Sequence, residues 1–62
     1  MHMDVYHFNL IDSGGLLVQE RDTSCDDNWQ AEAMARMLLL SRGTRAVEAW
    51  IGGSLLYRIE RP

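Results

Sequence analysis

Two glycine pairs, one in each half of the chain, limit how this sequence can fold. Gly14-Gly15 and Gly52-Gly53 each separate two apolar runs. This arrangement is typical of a β-hairpin, because glycine adopts the positive φ angles of tight turns without steric cost. Between the pairs, a segment from Asp27 to Arg42 is rich in alanine, leucine and methionine, which favour a helix. The pattern predicts the element order ββαββ.

The strands of both hairpins alternate between apolar and polar residues, as expected when one face of a strand is buried. The first strand is predicted from Asp4 to Ile11 and the second from Leu16 to Arg21, followed by a polar connection to Asp26. In the last hairpin, one face is expected to carry Val47, Ala49, Ile51, Leu55, Tyr57 and Ile59, and the other face Trp50 and Leu56. We therefore expect an α+β fold, in which one helix packs on one face of a four-stranded antiparallel sheet.

The length of 62 residues predicts a single domain over residues 1–62. A chain this short buries only about 60% of the surface that its unfolded form exposes, so its stability margin is narrow. Cys25 is the one cysteine, which excludes an internal disulfide and leaves a thiolate-based zinc site without a second ligand. Oligomerisation is the remaining common way to stabilise such a chain.

The predicted helix carries more apolar surface than one sheet can cover. At about 100° per residue, Ala31, Met34, Ala35 and Leu38 form the stripe that should face the sheet. A second apolar stripe lies on the opposite side of the helix, and the sheet adds two apolar residues on its outer face. These residues form the predicted interface of a homodimer: Trp29, Ala33, Met37, Leu40, Trp50 and Leu56.

Charge is distributed unevenly along the chain, whose formal net charge is −3. An acidic total does not favour nucleic-acid binding, which depends on neutralising phosphates. The basic residues of the last third form one candidate patch, and contact with solvent or with acidic groups of a neighbour is the favoured interpretation of it. The patch consists of Arg42, Arg45, Arg58 and Arg61.

The residues that could carry chemistry do not form a recognisable site. His2 and His7 lack a fixed third metal ligand, and Cys25 is followed by Asp26 and Asp27, whose negative charge opposes a thiolate. Neither glycine pair leads into a helix, as a phosphate-binding loop would. We therefore expect no cofactor, no metal and no enzymatic activity.

No segment has the length of a membrane span, since the longest purely apolar run near the helix end is Met37 to Leu40. The first residues also lack the basic and apolar regions of a signal peptide. These features predict a cytoplasmic protein that does not contact a membrane.

Several short motifs follow one another along the chain. An aromatic strand, Tyr6-His7-Phe8, leads to the turn Asp12-x-Gly14-Gly15, and a helix rich in alanine begins at Asp27. In this order the chain resembles a family of small, stand-alone bacterial domains of unknown function, known from alphaproteobacteria. The last hairpin fits the family through Val47, Gly52 and Leu55, whereas Asp22 and Cys25-Asp26 replace its usual glycine and Leu-Pro. The resemblance implies the same fold and assigns no functional residue.

The segments Leu16-Leu17-Val18 and Glu32-Ala33 are also similar to HicB-type antitoxins, although the Pro-Asp-Leu-Pro-Gly run of those proteins is missing. That resemblance implies a small toxin as partner. The leading hypothesis is a homodimeric interaction module, with an unidentified protein partner as a further possibility, and the alternative is an antitoxin-type protein.

Overall fold

The computed structural model describes residues 4–62, which form four strands and one helix. The elements are β1 (Asp4–Ile11), β2 (Leu17–Cys25), α1 (Asn28–Leu39), β3 (Ala46–Ile51) and β4 (Ser54–Glu60). All strand pairs are antiparallel, the strand order is β2-β1-β3-β4, and the helix packs on one face of the sheet. The predicted α+β fold with ββαββ order is therefore confirmed. No helix within residues 4–62 has the length and apolar character to cross a membrane.

Both glycine pairs lie in hairpin turns, as predicted. Gly52 and Gly53 have φ angles of 56° and 82°, the two consecutive positive values that a type I′ turn requires, and Ile51 pairs with Ser54 across them. In the first turn, one carboxylate oxygen of Asp12 accepts two backbone amides, each at 2.9 Å. The features that define each turn therefore lie within the turn itself.

Strand β2 is longer than the sequence predicts. The expected end is Arg21, yet the strand continues to Cys25, which pairs with Asp4 at the start of β1. The polar residues 22–24 stay in the strand because β1 offers them backbone partners along its whole length. Their side chains can remain in water, because β2 is an edge strand of the sheet.

The core lies between the helix and the central strands β1 and β3. Ala31 and Ala35 of the helix are completely buried and Leu38 is 6% exposed. Met34 packs at the margin, so the predicted inner stripe of the helix is confirmed. The strands and the end of β2 supply the other buried members of the cluster, which are Tyr6, Phe8, Leu10, Cys25, Val47 and Ala49.

The helix begins as predicted. The Asp27 carboxylate accepts the amide of Gln30 at 2.8 Å, which satisfies one of the free amides of the first turn. The Gln30 side chain reaches back and accepts the amide of Asp26 at 2.6 Å. This reciprocal arrangement is a variant of the capping box.

The helix ends at Leu39, earlier than the predicted Arg42. Its last turn tightens, since the amide of Leu40 bonds to the carbonyl of Met37 at 3.1 Å. Arg61 closes this end, because its guanidinium donates to the carbonyl oxygen of Leu39 at 2.7 and 2.9 Å. A cation at the C-terminal end also suits the helix dipole.

A bulge in the last hairpin exchanges the sheet faces on which two neighbouring leucines lie. Ala49 pairs with Tyr57, but Trp50 pairs with Leu55, so Leu56 is an extra residue on β4. Leu56 consequently packs against the core cluster, and Leu55 is 50% exposed beside Trp50. The predicted placement of these two leucines is therefore wrong, because one inserted residue reverses the strand faces beyond it.

Two tyrosines near the core differ in their hydrogen bonding. The Tyr6 hydroxyl donates to Oδ1 of Asn28 at 2.6 Å. The Tyr57 hydroxyl oxygen is buried and has no hydrogen-bond partner among residues 4–62. Burial, followed by the nearby Glu32 carboxylate, raises the pKa of Tyr57 to about 12. Tyr57 therefore stays neutral over the range in which the protein is expected to work.

Phenylalanine substitutions should distinguish these two tyrosines. Tyr6→Phe removes a hydrogen bond and should lower the free energy of unfolding by about 1 kcal/mol. Tyr57→Phe removes a buried hydroxyl without a partner, so the free energy of unfolding should stay the same or rise. Urea denaturation of the two variants measures the difference, and an equal loss in both would contradict the assignment of Tyr57.

Candidate functional site

One face of the helix is apolar and open to solvent. Trp29, Met37 and Leu40 are 82%, 68% and 79% exposed, and Ala33 lies exposed between them. Helical spacing places these four residues opposite the buried alanines of the core. We call Trp29, Ala33, Met37 and Leu40 the outer helix stripe. It is the surface that the sequence predicts on this side of the helix.

The other two residues of the predicted interface lie elsewhere. Trp50 is half-buried on the sheet face away from the helix, which we call the open face, and its indole N–H donates to Glu48 at 3.2 Å. Leu56 is half-buried and packs against the core cluster. Trp50 and Leu56 are therefore separate from the outer helix stripe.

A second exposed apolar group lies at the start of β2, and the sequence pattern does not predict it. Leu16, Leu17 and Val18 are 68%, 52% and 52% exposed. The β1–β2 register shifts at this point, so that Ile11 pairs with Leu17 and Val18 is the extra residue. Three apolar residues in succession show no alternation, so their sequence alone cannot assign them to a buried or an exposed face.

His7 lies on the open face among carboxylates of the neighbouring strand. Its Nδ1 is 2.5 Å from Oδ1 of Asp22, and its Nε2 is 3.0 Å from Oε1 of Glu20 and 2.9 Å from Oδ1 of Asn9. The strand register explains this cluster, because Asp22 lies directly opposite His7 and Glu20 opposite Asn9. His7, Glu20 and Asp22, with Arg21, line a shallow depression of about 250 Å³.

The surroundings of His7 favour its charged form. Both ring nitrogens face oxygen acceptors, and only the imidazolium can donate from both. The hydrogen bond to Asp22 is the main cause that raises the pKa of His7 above its ordinary 6.5, against the opposite effect of burial. In that charged form the ring has no lone pair to offer a metal or a substrate proton.

A metal centre receives no support from the described part of the chain. Within residues 4–62, no group of three histidine, cysteine, aspartate or glutamate side chains is placed to hold a metal ion. His2, the other histidine considered as a ligand, lies outside the described residues.

Cys25 is a buried thiol at the end of β2, with 1% of its surface exposed. Burial, followed by the charges of Asp26 and Asp27, raises the pKa of Cys25 above its ordinary value of 9.0. The thiolate, which is the nucleophilic form, is therefore disfavoured at neutral pH. Cys25 is a member of the core cluster.

The four arginines of the last third do not form a single open patch. Arg58 bonds to Glu48 and Glu60 at 3.1 Å each, on the open face. Arg61 donates to backbone carbonyls at the helix end. Arg42 and Arg45 are exposed. Two of the four candidate residues are thus held by contacts within the chain.

Comparison of the chain with protein-family models, with curated proteins and with solved structures finds no match. The resemblances to small bacterial domains and to antitoxins therefore stay predictions based on short motifs.

We expect His7 to titrate above the usual histidine range. In the folded chain its pKa is raised above 6.5. The contribution of charged His7 to the free energy of unfolding is therefore complete below about pH 6.5. This contribution is lost as the pH rises through the pKa that His7 has in the folded chain. The effect should be small, because the carboxylates are largely solvent-exposed. NMR titration of the ring Cε1–H measures the pKa directly.

The variant His7→Gln identifies the His7 signal and serves as the control. Its stability should not show the step that the wild-type protein shows above about pH 6.5. A wild-type His7 pKa at or below that value would contradict the doubly hydrogen-bonded imidazolium.

Proposed function

We propose that this protein is a homodimeric interaction module of the bacterial cytoplasm, joined through the outer helix stripe and without a catalytic role. The observation that supports this most is the exposure of Trp29, Met37 and Leu40 on one helix face. Tryptophan and methionine are enriched in protein interfaces, and tryptophan is prominent among the residues that dominate binding energy. A second copy of the chain would shelter this stripe from water.

The energetic reason for association is the cost of leaving large apolar side chains in water. Burial of a leucine or methionine side chain contributes about 1.5–3 kcal/mol. That contribution is large beside the narrow stability margin of a domain with 62 residues. Ala33 at the middle of the stripe would let a second helix approach closely, so that its larger neighbours could make contact as well.

Other exposed surfaces fit a contact between two copies less well. The edge strand β2 carries Glu20, Arg21 and Asp22 in succession, and charges of this kind discourage the pairing of edge strands. On the open face, Trp50 already donates to Glu48 and is half-buried. The outer helix stripe combines the highest exposure with an uninterrupted row of apolar residues.

The absence of a catalytic role is supported by the present environment of each reactive group. Both ring nitrogens of His7 face acceptors, the Cys25 thiol is buried, and Asp27 caps the helix. A general base or nucleophile needs a free lone pair within reach of a substrate. Each of these three residues therefore has a structural explanation.

A substitution in the outer helix stripe should separate the subunits. Met37→Glu places a charge in the proposed interface, and we expect the dimer dissociation constant to rise by at least roughly tenfold. The helix itself should persist, because glutamate is a good helix former and Met37 is 68% exposed. Sedimentation equilibrium gives the dissociation constant, and circular dichroism gives the helix content.

Leu16→Glu is the matched control, because Leu16 is also 68% exposed but lies outside the helix. It should leave the dissociation constant unchanged. Equal weakening by both substitutions would show that the helix is not the specific contact. A wild-type chain that stays monomeric at tens of micromolar would overturn the homodimer itself.

An antitoxin-type protein is the second candidate, and one observation favours it. The open face carries Glu20, Asp22, Glu48 and Glu60 against His7 and Arg58. This excess of carboxylates suits a basic partner such as a small ribonuclease. A neighbouring gene for such an enzyme, whose purified product binds the chain and loses activity, would support this role; a product that does not bind would exclude it.

A further inference from the structure

We infer that the two copies pack their helices antiparallel, so that Glu32 and Arg36 of one copy pair with Arg36 and Glu32 of the other. This inference rests on the proposed homodimer, and it adds the orientation of the subunits and the charges that fix it. Three features of the helix support it: the order of side-chain sizes along the stripe, the charged border of the stripe and the charges at the two helix ends.

The side chains of the outer helix stripe are complementary in an antiparallel pair. A two-fold axis near the middle of the stripe would place Ala33 opposite Met37 of the second copy, twice. The same axis would place Trp29 opposite Leu40. Small residues would then face large ones at the centre, as interdigitating helices require. A parallel pair would instead place Met37 against Met37 and Ala33 against Ala33. The two large side chains would then clash, and the two small ones would leave a gap.

The border of the stripe is charged on one side. Arg36 bonds to Glu32 at 3.0 Å, and the two side chains are 64% and 46% exposed. In an antiparallel pair, a two-fold axis perpendicular to the helices brings the same border of both copies together. Arg36 would then reach Glu32 of the second copy as well as its own. A parallel pair would place this border against the opposite one, which carries the uncharged Gln30.

The helix ends carry opposite charges. Asp26 and Asp27 lie at the N-terminal end, and Arg42 and Arg45 follow the C-terminal end. Antiparallel packing places the acidic end of one helix over the basic end of the other, whereas parallel packing places like charges together. The helix dipoles also oppose each other favourably only in the antiparallel arrangement.

Charge-reversal variants test the orientation. Glu32→Arg gives four arginines at an antiparallel contact and Arg36→Glu gives four glutamates, so each variant alone should dimerise roughly tenfold more weakly than the wild type, or worse. An equimolar mixture should form heterodimers with nearly wild-type affinity, because each arginine then faces a glutamate. Native mass spectrometry distinguishes the heterodimer from both homodimers by mass.

Two further measurements separate charge pairing from a change in folding. The double variant Glu32→Arg/Arg36→Glu should recover homodimerisation. Salt at about 1 M, where the Debye length is ~3 Å, should abolish the preference for heterodimers. Circular dichroism of each single variant shows whether its helix is retained.

Each outcome has a distinct meaning. Preferential heterodimers that disappear in high salt support the antiparallel contact. A wild-type dimer whose variants mix at random overturns the antiparallel contact and leaves the proposed homodimer standing. A monomeric wild-type chain overturns both the proposed function and this inference.

Discussion

The contact of two alanines with the centre of the sheet determines much of this structure. Ala31 and Ala35 are completely buried, and their small size allows the helix to lie close to β1 and β3. The sheet supplies the bulk of the core in return, including Tyr6 and Phe8, whose rings stack with centroids 6.5 Å apart. A helix seated in this way buries a narrow arc of its circumference. Its opposite arc is free, and the apolar residues there set the character of the molecular surface.

Interactions between near neighbours in the chain explain why most of the elements can be predicted from sequence. The turn glycines, the Asp27 cap and the alternation along β1 each act within a few residues. The outer helix stripe is predictable for the same reason, because helical periodicity alone decides which residues share a face. A prediction of this kind needs no knowledge of the sheet.

Interactions between distant residues explain what the sequence does not reveal. Arg61 closes the helix from more than twenty positions away, and no local pattern links it to Leu39. The exchange of Leu55 and Leu56 depends on one inserted residue in the β3–β4 ladder. The His7 cluster likewise depends on the register that sets Asp22 opposite His7. Register is a property of paired strands, so it is invisible in either strand alone.

The two hairpins form from adjacent segments, and the sheet becomes continuous where β1 meets β3. This ladder extends from the pair Tyr6–Ile51 to the pair Ile11–Ala46, so its formation closes a loop that contains β2 and the whole helix. Loop closure has an entropic cost that local turns avoid. We therefore expect the folding rate to be limited by the docking of two hairpins that form early. The helix should pack on the sheet as β1 and β3 pair.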